Sequence, residues 1–173
     1  MKKLLLLSLL LIMAAVCSSA QVMMGAYLSD DDPTGLTNIR NRPMGARVVQ
    51  LPSDEIYSFV LTSPQDGWWK IVELWTIEDD MTDSLTGSDT GEYWIHYSVL
   101  GIGTRNYGGE CLYLRDAPNE EADVVYSFSE ELVLKPMDVD AEGDWVKVKV
   151  DGWDIVGWIE AEWLCSNPVT NCC

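Results

Sequence analysis

The amino-acid sequence predicts an all-β fold made of two small, partly open barrels in tandem. The chain contains a repeated motif, Ile39-Arg40-Asn41-Arg42-Pro43 in one copy and Leu114-Arg115-Asp116-Ala117-Pro118 in the other. Each copy is followed by a Trp-x-Lys-apolar stretch, Trp68-Trp69-Lys70-Ile71 and then Trp145-Val146-Lys147-Val148. Beyond residue 20 no apolar pattern with a period of 3.6 residues is sustained, and short β-rich runs alternate with turn residues. These observations indicate a duplicated β unit.

Residues 1–20 have the features of a secretory signal peptide. A basic start precedes an apolar run over residues 4–16, which is shorter than the roughly 20 apolar residues that a membrane-spanning helix needs. Small residues end the segment, so cleavage is predicted before Gln21. The alternative is a lipoprotein anchored through Cys17. The protein is therefore predicted to be exported, either periplasmic or secreted, with no transmembrane segment.

The composition is strongly acidic. The chain has 28 acidic and 11 basic residues, which gives a formal net charge of −17 at pH 7. Such a surface repels a phosphate backbone, so nucleic acid is excluded as a partner. The composition indicates no cofactor, and the oligomeric state is left open.

The first predicted domain spans residues 21–106. Runs rich in β-branched and aromatic residues predict its strands, at 21–28 (an edge strand), 39–40, 48–51, 56–61, 68–77 and 93–96. Pro, Gly and Asp predict loops or turns at 29–35, 52–54 and 63–67. Residues 78–92 are acidic and almost without apolar side chains, so they are predicted to form a long exposed insertion before the closing strand.

A tight helical turn is predicted at residues 97–100, followed by a glycine-rich linker at 101–109. Residues 102–105 within it are a candidate for the last strand of the first barrel. The second predicted domain spans residues 107–166 and is followed by a tail, 167–173. Its strands are predicted at 111–115, 124–125, 132–134, 145–150 and 157–159, with a tight turn at 160–164. The strand 145–150 alternates apolar and polar residues, which predicts that one face is buried.

The order of these motifs resembles bacterial SH3 (SH3b) domains. That family's pattern runs from apolar-Arg-x-x-Pro through Gly-x-Trp-x-Lys-Val to Gly-Trp-Val and a later Leu. The second domain matches it with residues 114–118, with 143–148, and with Gly157-Trp158-Ile159 and Leu164. The first domain matches with 39–43 and 67–71, but Tyr93 replaces the Gly before Trp94. The resemblance implies an SH3-like barrel in each half and a binding role, commonly toward peptidoglycan or its peptides.

The tryptophans are the main candidates for a ligand site. Exposed aromatic rings can stack on a sugar ring or hold a peptide, because they offer a large contact area at a small entropic cost. The candidates are Trp68, Trp69, Trp75 and Trp94 in the first domain and Trp145, Trp153 and Trp158 in the second. The alternative for each is core packing. Since neighbouring side chains of a strand point to opposite faces, at least one of Trp68 and Trp69 is expected in the core.

Export permits disulfide bonds among the cysteines beyond the signal peptide. Cys111 begins the first strand of the second domain and Cys165 follows its last strand. A small barrel brings such ends together, so a Cys111–Cys165 disulfide is the preferred pairing. Pairing with the terminal Cys172-Cys173 dipeptide and free thiols remain alternatives.

The sequence offers no convincing catalytic or metal site. A cysteine hydrolase needs a Cys nucleophile beside a His base, but the only histidine, His96, and Cys111 fall in different domains. No pair of carboxylates stands out for glycoside cleavage. The acidic residues 138–144 resemble half of a calcium-binding loop, but Lys149 occupies the position of the closing acid. The stretches 30–32 and 78–92 are also rich in oxygen ligands, and solvated turns are predicted for all three.

The predicted function is therefore that of an exported, non-enzymatic binding module for a cell-envelope ligand, namely peptidoglycan, its peptides or an envelope protein. The alternatives are an adaptor between proteins, an inhibitor in the envelope and, as the weakest, a hydrolase.

Overall fold

The computed structural model describes residues 21–31, 35–52, 54–77 and 79–172. The predicted signal peptide and Cys17 lie outside this part of the chain. No helix among the described residues has the length and apolar character needed to cross a membrane. The prediction of an all-β fold is confirmed. The strands are β1 (Met23–Leu28), β2 (Leu36–Arg40), β3 (Arg47–Pro52), β4 (Ser58–Gln65), β5 (Trp68–Trp75), β6 (Trp94–His96), β7 (Leu100–Thr104), β8 (Leu112–Arg115), β9 (Val124–Phe128), β10 (Val133–Val139), β11 (Trp145–Val150), β12 (Val156–Glu160) and β13 (Leu164–Cys165).

Strands β1 to β7 form the N-terminal half of the molecule. Their antiparallel order is β3-β2-β6-β5-β4-β1-β7, and the 3₁₀ helix Tyr97–Val99 connects β6 to β7. The prediction of a strand at residues 21–28 is confirmed. The prediction that it is an edge strand is wrong, because β1 pairs with β4 on one side and with β7 on the other.

Strands β7 to β13 form the C-terminal half and repeat this pattern. The order continues β7-β10-β11-β12-β8-β9, and the 3₁₀ helix Ala161–Trp163 connects β12 to β13. In each half the first strand pairs with both the fourth and the last strand, counting β1 as first in one half and β7 as first in the other. Strand β7 therefore closes the N-terminal half and opens the C-terminal half.

Strand β7 overlaps residues 101–104 of the segment that was predicted to be a linker, so the linker prediction is wrong there, whereas the candidate last strand at 102–105 is confirmed for residues 102–104. Leu100 and Ile102 are buried in the core. Gly101 lies so close to Tyr27 of β1 that a Cβ atom there would be 2.7 Å from the Tyr27 ring. The glycine thus allows close strand packing rather than flexibility. Strand pairing continues through β7, and the division into domains at residues 106 and 107 stays a prediction.

The repeated arginine motif marks the same backbone feature in both halves. The pairing of β2 with β3 shifts register between Ile39 and Arg40, and that of β8 with β9 shifts between Leu114 and Arg115. Each guanidinium Nη1 then donates to a backbone carbonyl of the following loop, that of Gly45 at 2.6 Å and that of Ala122 at 2.8 Å. The motif therefore encodes a β-bulge whose arginine secures the next turn.

The two halves are also joined by side chains across the sheet. Trp69 of β5 is fully buried, and its indole Nε1 donates to the carbonyl oxygen of Pro136 in β10 at 2.8 Å. Lys135 of β10 is also buried, and its ammonium group donates to the carbonyl oxygen of Ser29 after β1 at 2.6 Å. These bonds and β7 hold the halves in one arrangement.

The acidic insertion is more anchored than its composition predicts. Met81 and Leu85 pack against the core, and residues Thr82–Ser84 form a 3₁₀ turn. Asp89 accepts a hydrogen bond from the Asn41 amide at 2.7 Å, which ties the far end of the insertion to the bulge after β2. No described residue of the insertion is buried and most are exposed, as predicted, but Met81 and Leu85 anchor it to the core.

The predicted turns are partly confirmed. Tight turns occur at both predicted places, 97–99 and 161–163. The turn predicted at residues 63–67 is shorter, since β4 runs through Gln65 and the reversal uses only Asp66 and Gly67. Both residues have positive φ, 50° and 79°, as a tight hairpin of this kind requires.

The preferred disulfide pairing is wrong. Cys165 is bonded to Cys172, and Cys111 is a free, exposed cysteine. Cys111 precedes β8, which pairs with β9 and β12, whereas Cys165 lies on β13, which pairs with β7. The chain at Cys111 and the chain at Cys165 therefore lie beside different strands. Cys172, by contrast, is only seven residues from Cys165 in the sequence.

This pairing predicts different effects for the cysteines. Replacing Cys172 and Cys173 together by Ser should lower the free energy of unfolding by about 2 kcal/mol, since a short disulfide loop is released. Cys111→Ser should leave the stability and the bridge unchanged. Urea unfolding and peptide mapping without reductant check both outcomes. A mapped peptide joining Cys111 to Cys165 would contradict the assignment.

Candidate functional site

Two of the seven candidate tryptophans belong to the interior. Trp69 is 0% exposed and Trp94 is 7% exposed. Trp94 also donates its indole hydrogen to Glu92 at 3.2 Å. Neither ring is accessible to a ligand, and Trp69 is the member of the Trp68-Trp69 pair that points into the core. The sequence-based expectation that one of the two is buried is therefore confirmed.

The other five candidates reach the surface, but they do not form one cluster. Trp68, Trp145 and Trp158 are half-buried, whereas Trp75 and Trp153 are 40% and 59% exposed. Trp158 lies beneath the Lys147 ammonium group, 5.9 Å from the ring centre. Trp75 ends β5, and its indole donates to Glu73 at 2.9 Å. Trp153 lies in the turn between β11 and β12.

Trp68 and Trp145 occupy equivalent places in the two halves. Trp68 of β5 is opposite His96 of β6, and Trp145 of β11 is opposite Glu160 of β12. The residue before each tryptophan accepts a backbone hydrogen bond from the 3₁₀ helix that follows. Those bonds are Tyr97 N to Gly67 O at 2.9 Å and Ala161 N to Asp144 O at 2.7 Å. The same local geometry thus presents a tryptophan beside a different partner in each half.

In the C-terminal half this place is a groove of about 210 Å³, here named the aromatic groove. Its aromatic walls are Tyr113, Trp145 and Trp163, and its charged groups are Arg115 and Glu160. The remaining lining residues are Cys111, Leu112 and Ile159. The groove thus combines apolar walls with one positive and one negative side chain.

Hydrogen bonds and charges position the polar groups of the groove. Glu160 accepts the indole hydrogen of Trp163 at 3.0 Å, and the guanidinium of Arg115 lies 5.9 Å from the Tyr113 ring centre. A hydrogen bond to the Cys111 side chain, and then the charge of that group, raise the pKa of the Tyr113 phenol above its ordinary 10.0. Tyr113 is therefore a neutral hydroxyl at physiological pH.

The equivalent place in the N-terminal half is packed with rings. The ring centres of Trp68 and His96 are 5.0 Å apart, and those of His96 and Tyr97 are 4.5 Å apart. Arg40 lies over Trp68 at 5.8 Å. Burial lowers the pKa of His96 below its ordinary 6.5, and Nδ1 is hydrogen-bonded with the Ser98 hydroxyl at 2.8 Å. His96 is thus a neutral packing element at pH 7.

Trp163 was missed as a candidate in the sequence. It lies in the 3₁₀ helix after β12, at the position that Val99 holds in the other half. The sequence signal that could have identified Trp163 is the tight turn that follows β6 in one half and β12 in the other. Such a turn presents one side chain beside the strand that precedes it.

The sequence analysis considered His96 and Cys111 as a hydrolase pair and the acidic stretches as calcium loops, and the structure gives their positions. His96 packs between Trp68 and Tyr97, and Cys111 lies in the aromatic groove of the other half. In the described part of the chain, no group of three or more His, Cys, Asp or Glu side chains is placed to hold a metal ion. Asp140 accepts backbone hydrogen bonds from Gly143 and Trp145, as a hairpin turn requires.

Comparison with known proteins finds distant structural neighbours. No family model matches the chain, and no curated protein matches it. The structure of NlpC2 from Trichomonas vaginalis is similar at 13% identity and a TM-score of 0.31, over 86% of this chain and 49% of that one. NlpC1 from the same organism is similar at 15% identity and a TM-score of 0.30, over 85% and 47%. The chain thus spans about half the length of these two neighbours.

Proposed function

We propose that this chain is an exported, non-catalytic binding protein of the cell envelope, formed by two SH3b-like domains, and that its aromatic groove binds peptidoglycan. The observation that carries the proposal is the groove itself, in which three aromatic rings surround an arginine and a glutamate. Ligand sites commonly combine apolar walls with a few polar groups that fix orientation.

The SH3b-like assignment is supported by the agreement between motifs and strand pairing. In both halves the apolar-Arg-x-x-Pro motif ends a strand at a bulge, and the Trp-x-Lys motif lies on a strand, β5 or β11, that pairs with the strand after it, β6 or β12. The equivalent 3₁₀ helices follow β6 and β12. The same sequence signals thus occur in the same structural places twice.

The size of the groove favours a peptide portion of the ligand. A volume of about 210 Å³ is smaller than the roughly 300–1,000 Å³ typical of sites for drug-sized ligands. It suits one or two amino-acid residues of a longer polymer. Arg115 can donate hydrogen bonds to a carboxylate, and Glu160 can accept them from an amino group, so a short peptide bearing both groups is the fitting chemistry.

A sedimentation experiment tests this function. Purified peptidoglycan should retain the wild-type protein, and Trp145→Ala should reduce retention at least tenfold because it removes one wall of the groove. Trp75→Ala is the matched control, since Trp75 is exposed on the other half. Trp69→Ala is unsuitable here because that ring is buried.

Equal retention of Trp145→Ala and wild type, with both folded by circular dichroism, would contradict the role of the groove. A wild-type protein that stays in the supernatant would contradict peptidoglycan as the ligand.

A further inference from the structure

A second cavity lies where the two halves meet, and we name it the junction cleft. It is lined by Tyr97 and Ser98 from the N-terminal half and by Lys135 and Lys149 from β10 and β11. The turn after β11 completes it with Asp151, Gly152, Trp153 and Asp154. Its volume is about 400 Å³, nearly twice that of the aromatic groove and within the range of ligand sites. Because side chains of both halves line it, the cleft depends on the contact between them.

The charged side chains of the junction cleft form two lysine–aspartate pairs. Lys149 pairs with Asp154 at 3.2 Å, and Lys135 lies 3.7 Å from an Asp151 oxygen. Lys135 is only 6% exposed and is fixed by its bonds to Ser29. Two ammonium groups and two carboxylates therefore line a neutral cleft, in a chain whose net charge is −17.

The rim of the cleft carries the most exposed tryptophan of the seven candidates. Trp153 is 59% exposed, and its ring centre is 6.2 Å from that of Tyr126. Single exposed apolar residues are common and need no function. Trp153 differs because it lines the same cleft as two lysine–aspartate pairs, so an apolar ring and paired polar groups border the same space.

From this arrangement we infer that the junction cleft binds a short, uncharged glycan. A pyranose ring has an apolar face that can lie on the Trp153 indole, which offers a large and rigid contact area. Each sugar hydroxyl both donates and accepts hydrogen bonds, so it can bond to an aspartate oxygen and to the Lys149 ammonium at once. The balanced lining gives no advantage to a strongly anionic or cationic ligand. The site is separate from the aromatic groove and does not depend on what that groove binds.

The test is a titration of the full chain without its signal peptide. The probes are a β-linked N-acetylglucosamine tetrasaccharide and cellotetraose, followed by the NMR signals of the indole N–H groups. At least one probe should shift the Trp153 signal. Trp153→Ala should weaken its binding at least tenfold, while Trp75→Ala, the other clearly exposed tryptophan, should bind as wild type does. Both replaced rings are at the surface, so neither variant is expected to unfold.

The outcomes separate this inference from the proposed function. Wild-type binding of neither glycan, or equal binding by Trp153→Ala and wild type, would overturn the inference. Loss of glycan binding in Trp145→Ala but not in Trp153→Ala would assign the glycan to the aromatic groove and also overturn it. If Trp145→Ala is no longer retained by peptidoglycan but still binds the tetrasaccharide, the result supports two separate sites.

Discussion

A fragment of residues 107–173 should not fold by itself, whereas a fragment of residues 98–173 should unfold cooperatively. The shorter fragment lacks β7, so Val133 and Leu134 of β10 lose their backbone partners and β13 loses its strand. It also loses Ile102 from the core and Thr104, whose hydroxyl accepts the Leu132 amide at 2.9 Å. An open strand edge with missing core side chains leaves little to offset the entropy of folding in so short a chain.

Circular dichroism during heating measures this difference. The fragment 21–106 is the matched control, because it keeps β1 to β7 complete and should show a cooperative transition. A transition in the fragment 107–173 at the same temperature as in 98–173 would contradict the role of β7 as a strand of both halves.

Sequence reasoning found the repeated elements because their signals are local. The Arg-x-x-Pro motif, the Trp-x-Lys strand and the tight turn each depend on a few neighbouring residues, and all three occur in both halves. The shared strand β7 was found only in part, because residues 102–105 were a candidate last strand of the first barrel but their pairing with both halves was not predicted. Its glycines predict a linker, and only the pairing with β1, distant in sequence, shows that Gly101 provides room beside Tyr27.

The candidate sites show the same limit. Residue type directed attention to tryptophans, and strand alternation predicted that at least one of Trp68 and Trp69 is buried without telling which. Type alone does not tell which face of the sheet is covered, so Trp94 was included although it is buried, and Trp163 was missed although it lines the groove. The cysteine pairing failed for a related reason. Chain ends that look adjacent in a simple barrel belong here to strands with different partners.

The replacement Trp69→Ala should be the most destabilising single change at any of the seven candidate tryptophans. Trp69 is fully buried in the N-terminal half and donates to Pro136 in the C-terminal half. Removing a buried Trp side chain typically lowers the free energy of unfolding by about 3–5 kcal/mol, through lost burial and the cavity left behind. The lost indole hydrogen bond adds to this because the Pro136 carbonyl loses a buried donor.

Urea unfolding followed by circular dichroism separates the two contributions. Trp69→Phe keeps an aromatic ring but removes the donor, so it should cost less than Trp69→Ala and more than Trp75→Ala. The last variant should change stability by less than about 0.5 kcal/mol, since Trp75 is at the surface. If Trp69→Ala unfolds at the same urea concentration as Trp75→Ala, the ring does not join the two halves. A loss confined to the N-terminal half, with the C-terminal half melting unchanged, would instead show that the hydrogen bond to Pro136 carries no coupling between them.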